Sequence, residues 1–225
     1  MANQFNQYSS AVVQTQESVL ATNTVIRNTY ILLSLTLLFS AAMAAFAVVT
    51  NAPNLGLLTL IGYFGLLFAT SATRNSGLGI FFVFALTGFM GYTLGPLLNV
   101  FLHMQNGSQI IMTALGGTGI IFLALSAYAL TTRSNFSYMG GFMMAASLIL
   151  LLAIVANMFL KLAMLQLVIT CGFMVFSSAM ILYETSNIIH GGERNYIMAT
   201  VSLYISIYNL FISLLQILSI FSNRD

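Results

Sequence analysis

The sequence has very little charge. Only 4% of its 225 residues are Asp, Glu, Lys or Arg, whereas 59% are hydrophobic. A soluble domain needs charged residues over about 25–35% of its surface, so this composition excludes a water-soluble globular protein. The net charge of +2 is also too small to indicate a nucleic-acid partner. The chain is predicted to be an integral membrane protein.

Scarce residue types exclude several intramembrane chemistries. The single cysteine, Cys171, cannot form an intramolecular disulfide, and the only aspartate, Asp225, leaves no pair of acids for an aspartyl protease. The only lysine, Lys161, falls between two apolar runs and so cannot hold retinal inside a bundle. Neither the H-E-x-x-H of zinc proteases nor the G-x-S-x-G of serine hydrolases occurs. The sequence therefore indicates neither an enzyme nor a cofactor or metal site.

Long apolar runs are abundant, and no Pro-rich or Gly/Ser-rich linker divides them. A spanning helix needs about 20 apolar residues, and seven runs qualify. These predicted spans are 30–50, 55–73, 79–102, 110–130, 138–160, 164–185 and 197–221. We expect an all-α seven-helix transmembrane domain over 30–225, preceded by a polar N-terminal tail over 1–29. That tail lacks the features of a signal peptide, so the first span is expected to stay as the insertion signal.

The basic residues predict the orientation, since short cytoplasmic loops hold an excess of Lys and Arg. An inside N-terminus places four arginines in the cytoplasm and only Lys161 and Arg224 outside. We therefore expect a cytoplasmic N-terminus and an external C-terminus.

Pairs of small residues spaced by four predict where helices approach closely, because lipid supplies no hydrophobic drive for association. Three such pairs are Ala41 with Ala45, Gly91 with Gly95, and Gly141 with Ala145.

The last span contains a polar stripe within an arc of roughly 80° of the helix. Its members are Ser202, Ser206, Asn209, Ser213 and Gln216. A polar stripe is costly against lipid, so it should face other helices or a hydrated cavity. Two interpretations stay open: hydrogen bonds that fix the bundle, or the lining of a polar pathway.

Glu184 is a rare carboxylate within an apolar run, in "AMILYETSNIIHGGERNY". The predicted topology places it at the cytoplasmic end of span six, where it could simply reach the interface. It also places Arg74 at the same end of span two, so an ion pair that acts as a gate is a second interpretation. Protonation of Glu184 would then release the two helix ends.

Two motifs carry a family resemblance. The C-terminal segment "LYETSNIIHGGERNYIMATVSLYISIYNLFISLLQIL" and "TGFMGYTLGP" in span three resemble signatures of the Bax-inhibitor family of seven-helix membrane proteins. The resemblance covers essentially the whole chain and implies a central last helix enclosed by the other six.

The family resemblance also implies a pH-sensitive calcium leak. Glu184 in "YET" and Arg74 match an acid and an arginine of its gate, but Ser206 in "LYIS" stands where the second acid is expected. Calcium takes about six to eight oxygen ligands, and the residues here offer little charge. Like charges close together, which a two-carboxylate switch needs, are not expected.

The pattern "GGE-NYI-ATVSLY-S-YN-F-SLL-IL" is similar to the bacterial YccA branch of the family. This similarity implies an inner-membrane modulator of the ATP-dependent protease FtsH, acting as an inhibitor or a poor substrate. A tail rich in Gln, Asn, Ser and Thr is a plausible flexible handle for such a protease. Protease modulation and a calcium or cation leak are both carried forward as hypotheses.

Overall fold

The fold is an all-α bundle. The computed structural model describes residues 2–222, with side chains from residue 23 onward, and no strand occurs in that part of the chain. Its helices are α1 (Ala2–Val49), α2 (Leu57–Thr73), α3 (Gly77–Leu102), α4 (Gly107–Thr132), α5 (Met139–Leu160), α6 (Ala163–Ile189) and α7 (Tyr196–Ser222). The ends of α2 to α7 lie within four residues of the predicted spans.

Six of the helices are long and apolar enough to cross a bilayer, and α2 is a shorter apolar helix of 17 residues. At 1.5 Å per residue, α2 is roughly 25 Å long, near the lower limit for a span. In α1, the part that is long and apolar enough to cross a bilayer is Asn23–Val49. The predicted tail, 1–29, therefore falls largely on residues whose side chains lie outside the described part, and the boundary at residue 30 stays a prediction.

The last helix is the centre of the bundle, as the resemblance implies, but four helices pack closely against it rather than the six expected. It packs against α1, α3, α4 and α6. Half of the residues in its most apolar stretch are buried, which is the largest share among the described spans. Leu203, Tyr204 and Leu210 are almost completely buried in a core cluster that also includes Leu33 of α1 and Leu86 of α3.

Tyr204 joins three helices through its hydroxyl group. The hydroxyl oxygen lies 2.6 Å from Oγ of Ser40 in α1, and the O–H group donates to the carbonyl of Thr87 in α3 at 3.2 Å. Both contacts are buried, so they are protected from competition with water. The centre of the bundle is therefore held by directional bonds as well as by apolar packing.

Only one of the three small-residue pairs marks a helix contact. Gly91 and Gly95 of α3 lie directly against α1, where an added Cβ would collide with Ser40 and Ala47. Ala41 with Ala45 and Gly141 with Ala145 are exposed, so the predictions for these two pairs are wrong. Small residues permit close approach, but the side of the helix that meets a neighbour is fixed by the whole bundle.

At the periphery, α5 packs against α6, and Met143 is its only residue classed as buried. Only 6% of the residues in its most apolar stretch are buried, which is the smallest share among the described spans. Most of its surface is available to lipid.

Candidate functional site

The polar stripe of α7 faces the interior of the bundle. Ser206 and Ser213 are buried, and Ser202, Asn209 and Gln216 are partly buried. Ser206 donates from Oγ to the carbonyl of Ser202 at 2.9 Å, a bond within the helix that satisfies its hydroxyl locally.

The C-terminal part of the stripe contacts α6 and lines a cavity. Thr170 of α6 donates from Oγ1 to Oε1 of Gln216 at 3.0 Å, which links α6 to α7. Asn209, Ser213 and Gln216 also line a cavity of about 470 Å³ that is shared with α5 and α6. Both interpretations of the stripe thus have a structural counterpart, and its use as a pathway stays a prediction.

Glu184 is buried at the opposite end of α6, with 9% of its surface exposed. No hydrogen bond or ion pair satisfies its carboxylate within the described residues. Glu193, in the loop after α6, lies close enough to act electrostatically on Glu184, and its backbone N–H donates to the carbonyl of Asn187 in α6 at 3.3 Å. The expectation that no second carboxylate acts on Glu184 is therefore wrong, because the loop returns Glu193 toward the helix end from which it departs.

Arg74 lies at the same end of the bundle but does not meet Glu184. It follows the last residue of α2, it is exposed, and within the described chain it forms no ion pair. The physical reason is lateral position, since α2 packs chiefly against α3 and stands apart from α6. The predicted ion pair is not formed in this structure, and a gating role for either residue stays a prediction.

Asn195 connects the loop before α7 to the turn after α2. Its Nδ2 donates to the carbonyl of Arg74 and to Oδ1 of Asn75, both at 2.9 Å. Its Oδ1 accepts from the backbone N–H groups of Ile197 and Met198 at 3.0 and 3.1 Å, and so caps α7. Asn195 is not among the site residues predicted from the sequence, although an asparagine directly before an apolar helix is a known capping signal.

Ser186 forms a second connection at this end. Its Oγ donates to the carbonyl of Ser134 at 3.0 Å and accepts from the N–H of Phe136 at 2.9 Å. These bonds attach the α4–α5 loop to the end of α6. Ser186 and Asn195 thus both connect loops at the end of the bundle where Glu184 lies.

The described residues give no support to a calcium site. No group of three or more His, Cys, Asp or Glu side chains among them could hold a metal ion. His190 is exposed, and its Nδ1 lies 2.8 Å from the carbonyl of Ser186.

Comparisons with known proteins agree with this architecture. The family model described as "Inhibitor of apoptosis-promoting Bax1" matches residues 22–223. The protein named "Modulator of FtsH protease YccA" from Escherichia coli K12 is 54% identical over 209 residues, covering 92% of this chain and 94% of that protein. An uncharacterized protein of Pseudomonas aeruginosa is 51% identical over 226 residues and covers both chains completely. One from Pasteurella multocida is 53% identical over 219 residues, or 96% of this chain and 99% of its own.

Proposed function

Because the chain belongs to the Bax-inhibitor family, as a multi-pass membrane protein with a central last helix, we propose that it modulates an FtsH-type membrane protease. The observation that carries the proposal is the 54% identity to a protein named as a modulator of that protease, over nearly the full length of both chains. In this role the chain binds the protease and limits the degradation of other membrane proteins. Neither the family's description nor that relative's name is that of an enzyme.

The architecture suits a poor substrate. A protease that extracts membrane proteins must pull helices apart, and α7 is enclosed by α1, α3, α4 and α6. The Tyr204 hydroxyl bonds and the close contact of Gly95 with Ala47 hold α7, α3 and α1 together. Local opening of such a core requires much of the global unfolding free energy. The protease is thus occupied by a chain that it extracts slowly.

The polar N-terminal tail, 1–29, is the proposed handle by which the protease takes hold of the chain. It contains Glu17 and Arg27 as its only charged residues and is otherwise rich in Gln, Asn, Ser and Thr. Excess arginine on one side supports a cytoplasmic N-terminus, the side from which an ATP-driven protease pulls. This orientation, together with an inner-membrane location, is part of the proposal, and an Escherichia coli relative is named an inner membrane protein.

The test reconstitutes purified FtsH in liposomes with an unstable membrane substrate, with and without the full chain. We expect slower substrate degradation in the presence of the chain, and loss of that protection after deletion of residues 2–20. The melting temperature of the truncated protein is the control, because it must match that of the full chain for the loss to be assigned to the handle. Equal degradation rates with and without the full chain would contradict the proposal.

A further inference from the structure

The cavity of about 470 Å³ lies at the end of the bundle where α5 turns into α6. Asn157 and Met158 come from the last turn of α5, Gln166 from the first turn of α6, and Gln216 from the last two turns of α7. Its volume falls within the range of small-molecule sites. No charged residue is among its lining residues, so the lining itself offers only hydrogen bonds and apolar contact.

The amide groups around the cavity present donors. Oε1 of Gln216 accepts from Thr170, and Oε1 of Gln166 accepts from Nδ2 of Asn157 at 2.9 Å. Oδ1 of Asn157 accepts from the N–H of Leu162 at 3.1 Å. The three amide oxygens are therefore engaged, while the NH₂ groups of both glutamines have no partner among the described residues. A ligand with acceptor oxygens fits this arrangement.

Ser213 and Asn209 add two unpartnered groups. Ser213 is 3% exposed and lines the cavity, yet its hydroxyl has no hydrogen bond within the described chain. The side-chain amide of Asn209 likewise has no partner there. Both groups line the cavity, so they can form hydrogen bonds with a molecule that enters it.

The opposite wall is apolar and open to the membrane. Met158 of α5 is 68% exposed and lines the cavity beside Ile154, while Ile169 and Phe173 of α6 extend the apolar surface inward. Because α5 packs chiefly against α6 and most of its residues are exposed, lipid has direct access along this side. A molecule that fits both walls has an apolar part as well as acceptor oxygens.

Lys161 directly follows α5, three positions after the lining residue Met158, and is not itself a lining residue. Lys161 caps α5 in the left-handed conformation, with φ 50°, and its N–H donates to the carbonyl of Asn157 at 2.8 Å. Its side chain is exposed, and Lys161 is the only lysine of the chain. An ammonium group at a helix end beside the interface attracts a phosphate group.

We propose that this cavity binds one phospholipid molecule. Its ester carbonyls accept from the glutamine amides and Ser213, its phosphate lies beside Lys161, and an acyl chain runs past Met158 and Ile154 to the bilayer. This site is separate from the Glu184 end of the bundle, and it does not depend on the proposed protease modulation.

Native mass spectrometry of the full chain in mild detergent tests the proposal. We expect one retained phospholipid per chain, and about tenfold weaker retention when Met158→Trp blocks the open side. Met144→Trp is the matched control, because Met144 is an equally exposed methionine of α5, at 71%, that does not line the cavity. Equal lipid retention by these two variants, or no retained lipid in the unchanged chain, would overturn the proposal.

Added ligands then identify the recognised chemistry. Phosphatidylglycerol should raise the melting temperature of the delipidated chain, and glycerol 3-phosphate or inorganic phosphate should not. An equal rise with glycerol 3-phosphate would show a site for a free phosphate and overturn the lipid assignment. Lys161→Gln should reduce the preference for phosphatidylglycerol over diacylglycerol, and an unchanged preference would remove the phosphate contact.

Discussion

Asn195 donates a hydrogen bond from Nδ2 to the main-chain carbonyl of Arg74 at 2.9 Å, and so ties the start of the central helix to the end of α2. The same side chain caps α7 through its Oδ1. Two functions thus depend on one amide, one on its nitrogen and the other on its oxygen.

Replacement of Asn195 separates these two functions. Asn195→Ala should lower the free energy of unfolding by about 1–2 kcal/mol, because it removes the cap and the connection to α2. Asn195→Asp keeps the capping oxygen and should have a smaller effect. Thermal unfolding in nanodiscs measures both, with Asn135→Ala as the control, since Asn135 bonds only within its own loop. An alanine variant no less stable than the aspartate variant would contradict this account.

Removal of the Tyr204 hydroxyl should weaken the centre of the bundle. Tyr204→Phe leaves the Ser40 hydroxyl without its partner, and we expect a loss of about 1 kcal/mol. A double-mutant cycle with Ser40→Ala should reveal favourable coupling between the two side chains. Tyr138→Phe is the control at an exposed tyrosine, and strict additivity of the Tyr204 and Ser40 changes would argue against the bond.

A larger side chain at Gly95 should force α3 away from α1. Gly95→Leu places atoms where Ala47 already lies, and overpacking of this kind costs about 1–3 kcal/mol. Gly141→Leu makes the same chemical change on α5, where nothing lies within 4 Å of an added Cβ, and should be tolerated. Melting temperatures of the two variants provide the comparison. Equal destabilisation would show that close approach at Gly95 is not the cause.

Glu184 and Arg74 should act independently on stability. Because the guanidinium forms no ion pair in the described chain, the effects of Glu184→Gln and Arg74→Gln should add to within about 0.5 kcal/mol. Glu184→Gln alone should not destabilise the protein, since it removes a buried charge that lacks a partner. Chemical unfolding of the single and double variants measures both quantities. A coupling above about 1 kcal/mol would restore the ion pair as a feature of the protein in the membrane.

Features that depend on position along one helix are predictable from the sequence. The apolar runs predict the ends of α2 to α7 to within four residues, because each spanning segment must satisfy its own backbone. The stripe on α7 is also a property of one helix, since helical periodicity alone places Ser206 and Ser213 on one face. That this face is buried follows from the high cost of exposing polar groups to lipid.

Features that depend on how helices are arranged around the bundle axis are harder to predict. Arg74 and Glu184 are correctly expected at one end, but the sequence does not reveal that α2 stands apart from α6. Exposed Gly141 and contacting Gly95 look alike in sequence for the same reason. The cavity beside Ser213 forms where α5, α6 and α7 meet. The sequence of a single helix does not indicate such a meeting point.

The most direct test of the central claim, a bundle that occupies the protease and resists extraction, follows two decay rates in the same vesicles. FtsH, an unstable substrate and the full chain are reconstituted together, and the loss of both proteins is measured over time. We expect the substrate to be protected while the chain decays slowly, and the Gly95→Leu variant to decay faster and protect for a shorter time. Rapid loss of the unchanged chain, or unprotected substrate while that chain persists, would contradict the account.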